Sequence, residues 1–189
     1  FITIFGASRF LSTFIITIAD ECLTRLVDPD YLAHAAGKAA LSRRLARMID
    51  GEPDDKSFYR AMRVFRKQEM LRIGLRDLLG KADLQETVTE LSDLAEVCLQ
   101  RAYEWADAGL AKRYGRPVIR HADGTSTAAG FAVIAMGKLG GGELNFSSDV
   151  DLMYAYAADG ETEGVRYPNG TAANRITNHQ YFIKLAERL

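Results

Sequence analysis

The sequence predicts an α+β protein, with a helical subdomain over residues 1–115 and a strand–turn–strand region over residues 116–189. Three observations carry this reading. Apolar residues recur at helical spacing up to Gly115, and the pattern then gives way to short apolar runs flanked by glycines. The composition is 48% hydrophobic and 26% charged with only four prolines, as expected of a chain that buries a core. A chain of 189 residues buries about 70% of the surface its unfolded form exposes. Disordered, collagenous and disulfide-stapled classes are thereby excluded.

Residues 10–19 form the most apolar stretch, bounded by Arg9 and Asp20 and too short to span a bilayer, so a buried helix is expected there. Residues 37–49 place Leu41, Leu45 and Met48 on one helical stripe, which the turn Gly51-Glu52-Pro53-Asp54 interrupts. Residues 83–114 give the clearest element. Asp83 with Glu86 makes a start resembling a capping box, and Leu84, Val88, Leu91, Ala95, Cys98, Ala102 and Trp105 form its stripe. Gly115 and Pro117 end it. At about 1.5 Å per residue that helix is ~48 Å long.

Loop residues His121-Ala122-Asp123-Gly124-Thr125 then lead to a buried strand at 131–136, a glycine-rich turn, and a second strand at 151–156. Residues 159–170 read as a polar loop, and 174–189 as a helix with Ile176, Phe182, Leu185 and Leu189 inward. The missing initiator Met and the uncapped helical end point to a piece of something longer.

A net charge of −1 gives no global basic field, so neither nucleic acid nor a membrane surface is an expected partner. Charge is nonetheless uneven. Residues 41–76 carry ten Lys or Arg against five Asp or Glu, and residues 83–110 carry one against seven. The two regions either face each other or point to different surfaces. Arg60, Arg63 and Lys67 share a helix face, read as a solvated surface or as a seat for an anionic partner. Cys22 and Cys98 form no CxxC pair, and His34, His121 and His179 have no metal-ligand spacing, so neither set predicts a metal site. Cysteine usage fits a reducing cytosol.

The chemistry concentrates in residues 131–156. In a strand, residues two apart point the same way, so Asp149 and Asp151 can converge on a divalent cation while Val150 and Leu152 face the core. Two carboxylates make a hard oxygen site suited to Mg2+ shared with substrate phosphates. The bland reading is two surface aspartates at a strand start, and the glycine turn before them tips the balance toward a site. Known glycine motifs fail here: Leu139 stands where a Walker A loop needs Ser or Thr, and Asn145 stands where a dinucleotide fingerprint needs glycine. Tyr154, Tyr156 and Trp105 are read as core or rim residues.

The run Gly137-Lys138-Leu139-Gly140-Gly141-Gly142-Glu143-Leu144-Asn145-Phe146-Ser147-Ser148-Asp149-Val150-Asp151-Leu152 closely resembles the motif of the glutamine synthetase adenylyltransferase/adenylyl-removing enzymes. These belong to the DNA polymerase β-like nucleotidyltransferase superfamily. The Asn-Phe-Ser-Ser-Asp form is similar to the N-terminal, deadenylylating half, as is the helical segment Met62-Arg63-Val64-Phe65-Arg66-Lys67-Gln68-Glu69-Met70-Leu71-Arg72-Ile73.

The resemblance implies a fold, a helical subdomain at 1–115 followed by a partial nucleotidyltransferase core at 116–189. It implies a reaction too: inorganic phosphate attacks the AMP phosphorus on a tyrosine of glutamine synthetase and releases ADP. It implies Asp149 and Asp151 as catalytic Mg2+ ligands, and Gly140, Gly141, Ser148 and Lys138 as phosphate or nucleotide contacts. The full protein would be a cytoplasmic regulator of nitrogen assimilation, with glutamine synthetase as substrate, ATP, ADP and phosphate as small partners, and a nitrogen-status signal protein as regulator. Superfamily members complete the metal site with a third carboxylate on a later strand, so the 189-residue chain alone is expected to be impaired. The rival readings are an ATP-dependent adenylylating half and a noncatalytic helical docking module.

Overall fold

The computed structural model describes residues 6, 9, 12, 13, 16, 29–49, 51, 53–167 and 171–189. The helix expected at 10–19 lies largely outside the described residues. The elements are α1 (Pro29–Ala33), α2 (Lys38–Met48), α3 (Asp55–Leu78), α4 (Leu84–Tyr114), β1 (Pro117–Arg120), β2 (Ser126–Ala128), β3 (Phe131–Ala135), α5 (Gly137–Gly140), β4 (Leu152–Tyr156), β5 (Glu161–Thr162), β6 (Val165–Arg166), β7 (Ala172–Ala173) and α6 (Asn178–Ala186). Every described strand follows Gly115, so the α+β class holds. The chain divides into two compact units, one of Phe1–Cys98 with Gly137–Val150, the other of Leu99–Met136 with Asp151–Leu189.

In the first unit α3 starts where the Asp54 carboxylate accepts the Ser57 N–H at 2.8 Å, and the Ser57 hydroxyl together with that N–H holds this carboxyl below its ordinary value. The start of α4 is capped in the same way, by Asp83 Oδ1 on the Glu86 N–H at 2.8 Å. Leu41 and Leu45 of α2 are buried as their spacing predicts, with Phe58, Phe65, Leu71 and Ile73 of α3 and Leu91, Leu94 and Val97 of α4.

The inward face of α4 departs from the expected stripe. Leu84 is 78% exposed, whereas Thr87, Glu90 and Ser92 are buried. Each of these polar residues has an internal partner, which a purely apolar periodicity cannot register. Thr87 Oγ1 donates to the Asp83 carbonyl at 2.8 Å. Glu90 meets Arg72 and takes Arg76 Nη1 at 3.0 Å, and it also accepts the Ala36 N–H.

An ionic cluster therefore runs through this core. Arg72 donates from Nε to Glu69 at 2.6 Å, Arg44 reaches Glu69 at 3.0 Å, and Arg76 reaches Glu86 at 2.5 Å. The guanidinium groups of Arg44 and Arg72 lie 5.2 and 5.8 Å from the Tyr31 ring centroid. Burial works against the charge of Arg72, but Glu69 and Glu90 outweigh it and raise its pKa above the ordinary value. The opposed charges of residues 41–76 and 83–110 thus face each other in part, through Arg72 and Arg76.

The second unit holds small antiparallel sheets ordered β2-β1-β5, β3-β4 and β6-β7. Gly115 ends α4 at φ +72, where a Cβ would lie 2.4 Å from the Gly164 carbonyl oxygen, so glycine is required there. Residues 121–125 make the β1–β2 turn, with Asp123 Oδ1 accepting the Thr125 N–H at 2.9 Å. The polar stretch 159–170, expected as a loop, contains β5 and β6. Backbone pairing with β1 and β7 recruits these short segments without any apolar signal.

Aromatic rings build this unit's core. Phe131 lies 5.0 Å from Phe182, 5.8 Å from Tyr154 and 6.2 Å from Tyr103. The helix α6 begins at Asn178, later than expected, at a capping box of Thr177 and Gln180, and it buries Tyr181, Phe182 and Leu185. Ile176 precedes it and Leu189 follows it, each half-buried. Trp105 is half-buried. Burial and a 2.7 Å bond to Asp107 push the Tyr181 hydroxyl pKa up. The strand expected to be buried at 131–136 alternates instead. Phe131, Val133 and Ala135 are half-buried, while Ile134 and Met153, a cross-strand pair, are 41% and 49% exposed. One face of the β3–β4 pair packs on the aromatic core and the other is open.

Candidate functional site

The glycine-rich run in the first unit is one turn of helix with a complete C-terminal cap. The Gly141 N–H donates to the Gly137 carbonyl at 3.1 Å, Gly142 to Leu139 at 3.0 Å, and Glu143 to Lys138 at 2.7 Å. The last two bonds define a Schellman motif. Gly142 sits at its left-handed position with φ +70, which accounts for a glycine there. Leu139 and Leu144 are buried on either side and pin the turn.

Lys138, Gly140 and Gly141, expected as phosphate contacts, are exposed. The Gly141 amide, however, is already committed to Gly137. Ser148 is half-buried and similarly engaged. Its hydroxyl donates to Asn145 Oδ1 at 2.7 Å and accepts the Asn145 N–H at 3.2 Å, while its own N–H goes to the Asn145 carbonyl at 3.2 Å. Ser147 N–H also reaches Asn145 Oδ1, at 3.1 Å. Asn145 therefore ties the turn that leads to Asp149. Its signal in the sequence is Asn followed two residues on by Ser, the pattern of an Asx-turn, which carries no charge or apolar period to draw notice.

Asp149 is exposed, and so is Val150, which was expected to face the core. In the second unit Asp151 is exposed as well, and its carbonyl accepts the Met136 N–H at 2.9 Å. The strand begins only at Leu152, one residue later than expected. Its partner β3 ends at Ala135 and the chain leaves for α5, so no ladder extends to Val150 and Asp149. Among the described residues, neither aspartate carboxylate makes a hydrogen bond or an ion pair.

Other chemistry-bearing residues are not gathered here. His34, His121 and His179 are exposed. His121 Nε2 lies 2.9 Å from Thr127 Oγ1 and His179 Nδ1 lies 3.3 Å from the Tyr156 hydroxyl. Tyr154 and Tyr156 belong to the aromatic cluster. Burial pushes the Cys98 thiol up to about 11, away from the thiolate form that a nucleophile uses. Cys22 lies outside the described residues. Among the described residues, no group of three or more His, Cys, Asp or Glu is placed to hold a metal ion, and no helix is long and apolar enough to cross a membrane.

Residues 1–189 match the family model described as glutamate-ammonia ligase adenylyltransferase. The bifunctional glutamine synthetase adenylyltransferase/adenylyl-removing enzyme of Thioalkalivibrio sulfidiphilus is 40% identical over 167 residues, which is 88% of this chain and 16% of that protein. The protein of the same name from Psychromonas ingrahamii is 34% identical over 98% of this chain and 18% of its own length. That from Alteromonas mediterranea is 42% identical over 69% of this chain and 12% of its own length. The chain thus spans less than a fifth of the length of the curated relatives it matches. A match over the full 189 residues, with relatives of this identity, establishes that the chain belongs to the glutamate-ammonia ligase adenylyltransferase family.

Proposed function

We propose that this chain is part of an enzyme that removes AMP from a tyrosine of glutamine synthetase by phosphorolysis, and that it is the deadenylylating half. In this reading residues 1–115 are the helical subdomain and 116–189 the opening of a polymerase β-like nucleotidyltransferase core. The observation that carries it is the pair Asp149 and Asp151, exposed, two residues apart, and without an ionic partner among the described residues. Two such carboxylates fit Mg2+, which takes one or two protein carboxylates and fills its remaining positions with water and substrate phosphates. When bound, the ion neutralises charge on the phosphoryl oxygens during transfer.

The chain's own residues have distinct tasks. Asp149 and Asp151 hold the ion. Lys138, exposed at the turn, offers a cation to phosphate. Gly140 and Gly141 let a phosphate approach the backbone closely. Ser148 contributes its hydroxyl by exchanging its bond to Asn145. A phosphate oxygen attacks the AMP phosphorus, the bond from that phosphorus to the tyrosine oxygen breaks, and the tyrosine oxygen recovers a proton. The products are ADP and unmodified glutamine synthetase. We place the parent protein in the cytoplasm, under control of a nitrogen-status signal protein.

The relatives' name covers both an adenylyltransferase and an adenylyl-removing activity, which keeps the ATP-dependent direction as a second reading. The full-length protein decides between them when the partner half is silenced. Phosphate-dependent ADP release from adenylylated glutamine synthetase supports the proposal, and ATP-dependent AMP transfer in its place overturns it.

A further inference from the structure

Ser92 lies in the buried face of α4, at 2% exposure, with its hydroxyl used twice. It donates to the Val88 carbonyl at 2.8 Å and accepts the Leu144 N–H at 3.1 Å. The first bond is the ordinary habit of serine inside a helix, whose proton finds the carbonyl one turn back. It leaves an oxygen lone pair for another donor, and a backbone amide 52 residues downstream takes it. That amide belongs to Leu144, itself 7% exposed, the residue that joins the glycine turn to the Asn145 turn. From there the Asn145–Ser148 bonds hold the chain until Asp149.

We propose that Ser92 is a positioning residue for the reaction assigned above to Asp149. Its hydroxyl fixes the depth and register of residues 144–149 against α4, so that the Asp149 carboxylate is presented in one place. Ser92 touches no reacting atom and acts through the Leu144 amide and the Asn145 turn. The inference rests on the reading of Asp149 as a Mg2+ ligand.

The test uses the full-length protein and three variants. Ser92→Ala removes the acceptor, Ser92→Cys keeps the volume with a poor acceptor, and Ser92→Thr keeps the hydroxyl. Melting curves confine the comparison to temperatures at which each variant is folded. Phosphate-dependent ADP release is then measured against Mg2+ concentration and against adenylylated glutamine synthetase. The Ala and Cys variants are expected to lose kcat by about tenfold, because even a small misplacement of a catalytic group costs rate. They should need several-fold more Mg2+ for half-maximal rate at unchanged KM for the protein substrate, and Thr should restore both. A loss of kcat without any shift in Mg2+ dependence overturns the positioning role. So does wild-type behaviour of Ala and Cys beside an inactive Asp149→Asn. Full activity of Asp149→Asn overturns the reading of the site itself and this inference with it.

Discussion

Glu69 and Glu90 are 0% and 3% exposed, whereas Asp149 and Asp151 lie on the surface, and these four carboxylates have been treated in opposite ways. The buried pair is surrounded by Arg44, Arg72 and Arg76, and Glu90 takes a backbone N–H besides. A carboxylate leaves water only when cations and donors replace its hydration, and removing one member strands the others. The exposed pair keeps its oxygens free of protein partners among the described residues. The difference separates acids that hold a fold together from acids whose lone pairs stay open to solvent.

Substitutions at the two sets should therefore fail in different ways. The largest effect on rate is expected at the exposed set. Asp149→Asn or Asp151→Asn in the full-length protein should lower phosphate-dependent ADP release at least about 100-fold, or ~2.7 kcal/mol of barrier. Urea denaturation should shift by less than about 0.5 kcal/mol. A large stability loss at either aspartate would erase the contrast.

At the buried set, Glu90→Gln leaves Arg72 and Arg76 short of a shared carboxylate, and a cost of about 3–5 kcal/mol is expected in the same denaturation experiment. A loss under about 1 kcal/mol would mean that solvent or rearrangement replaces Glu90 far more easily than its burial implies. The smallest effect concerns the basic face, where Arg60 and Arg63 are exposed and Lys67 half-buried. Arg63→Glu should raise KM for adenylylated glutamine synthetase a few-fold at low salt and less at high salt, since exposed charges are screened over about 10 Å at 0.1 M. An unchanged KM at both salt concentrations would leave only a solvated surface.

Much of the helical part is legible in the sequence because its signals are local. The cap at Asp83, the stop at Gly115 and the α2 stripe follow from spacing and turn chemistry alone. The phase of α4 was not legible, because its inward face is set by Glu90 and Ser92, whose partners Arg72, Arg76 and Leu144 are distant in sequence. The short strands β5 and β6 were hidden for a related reason, being made by backbone pairing with segments elsewhere. At the candidate site Lys138, Gly140, Asp149 and Asp151 are all exposed. The engagement of Gly141 and Ser148 within their own turns does not show in a residue list, because it depends on which N–H groups the turns consume.

In the proposed function Asp149 and Asp151 bind the metal ion that phosphorolysis needs. Changing the ligand chemistry and reading the metal preference tests this. Carboxylate oxygen suits Mg2+, whereas thiolate sulfur suits softer ions. In the full-length protein, Asp149→Cys and Asp151→Cys should lose phosphate-dependent ADP release with Mg2+ and regain part of it with Mn2+ or Cd2+. Undiminished release by both variants with Mg2+ would contradict the claim.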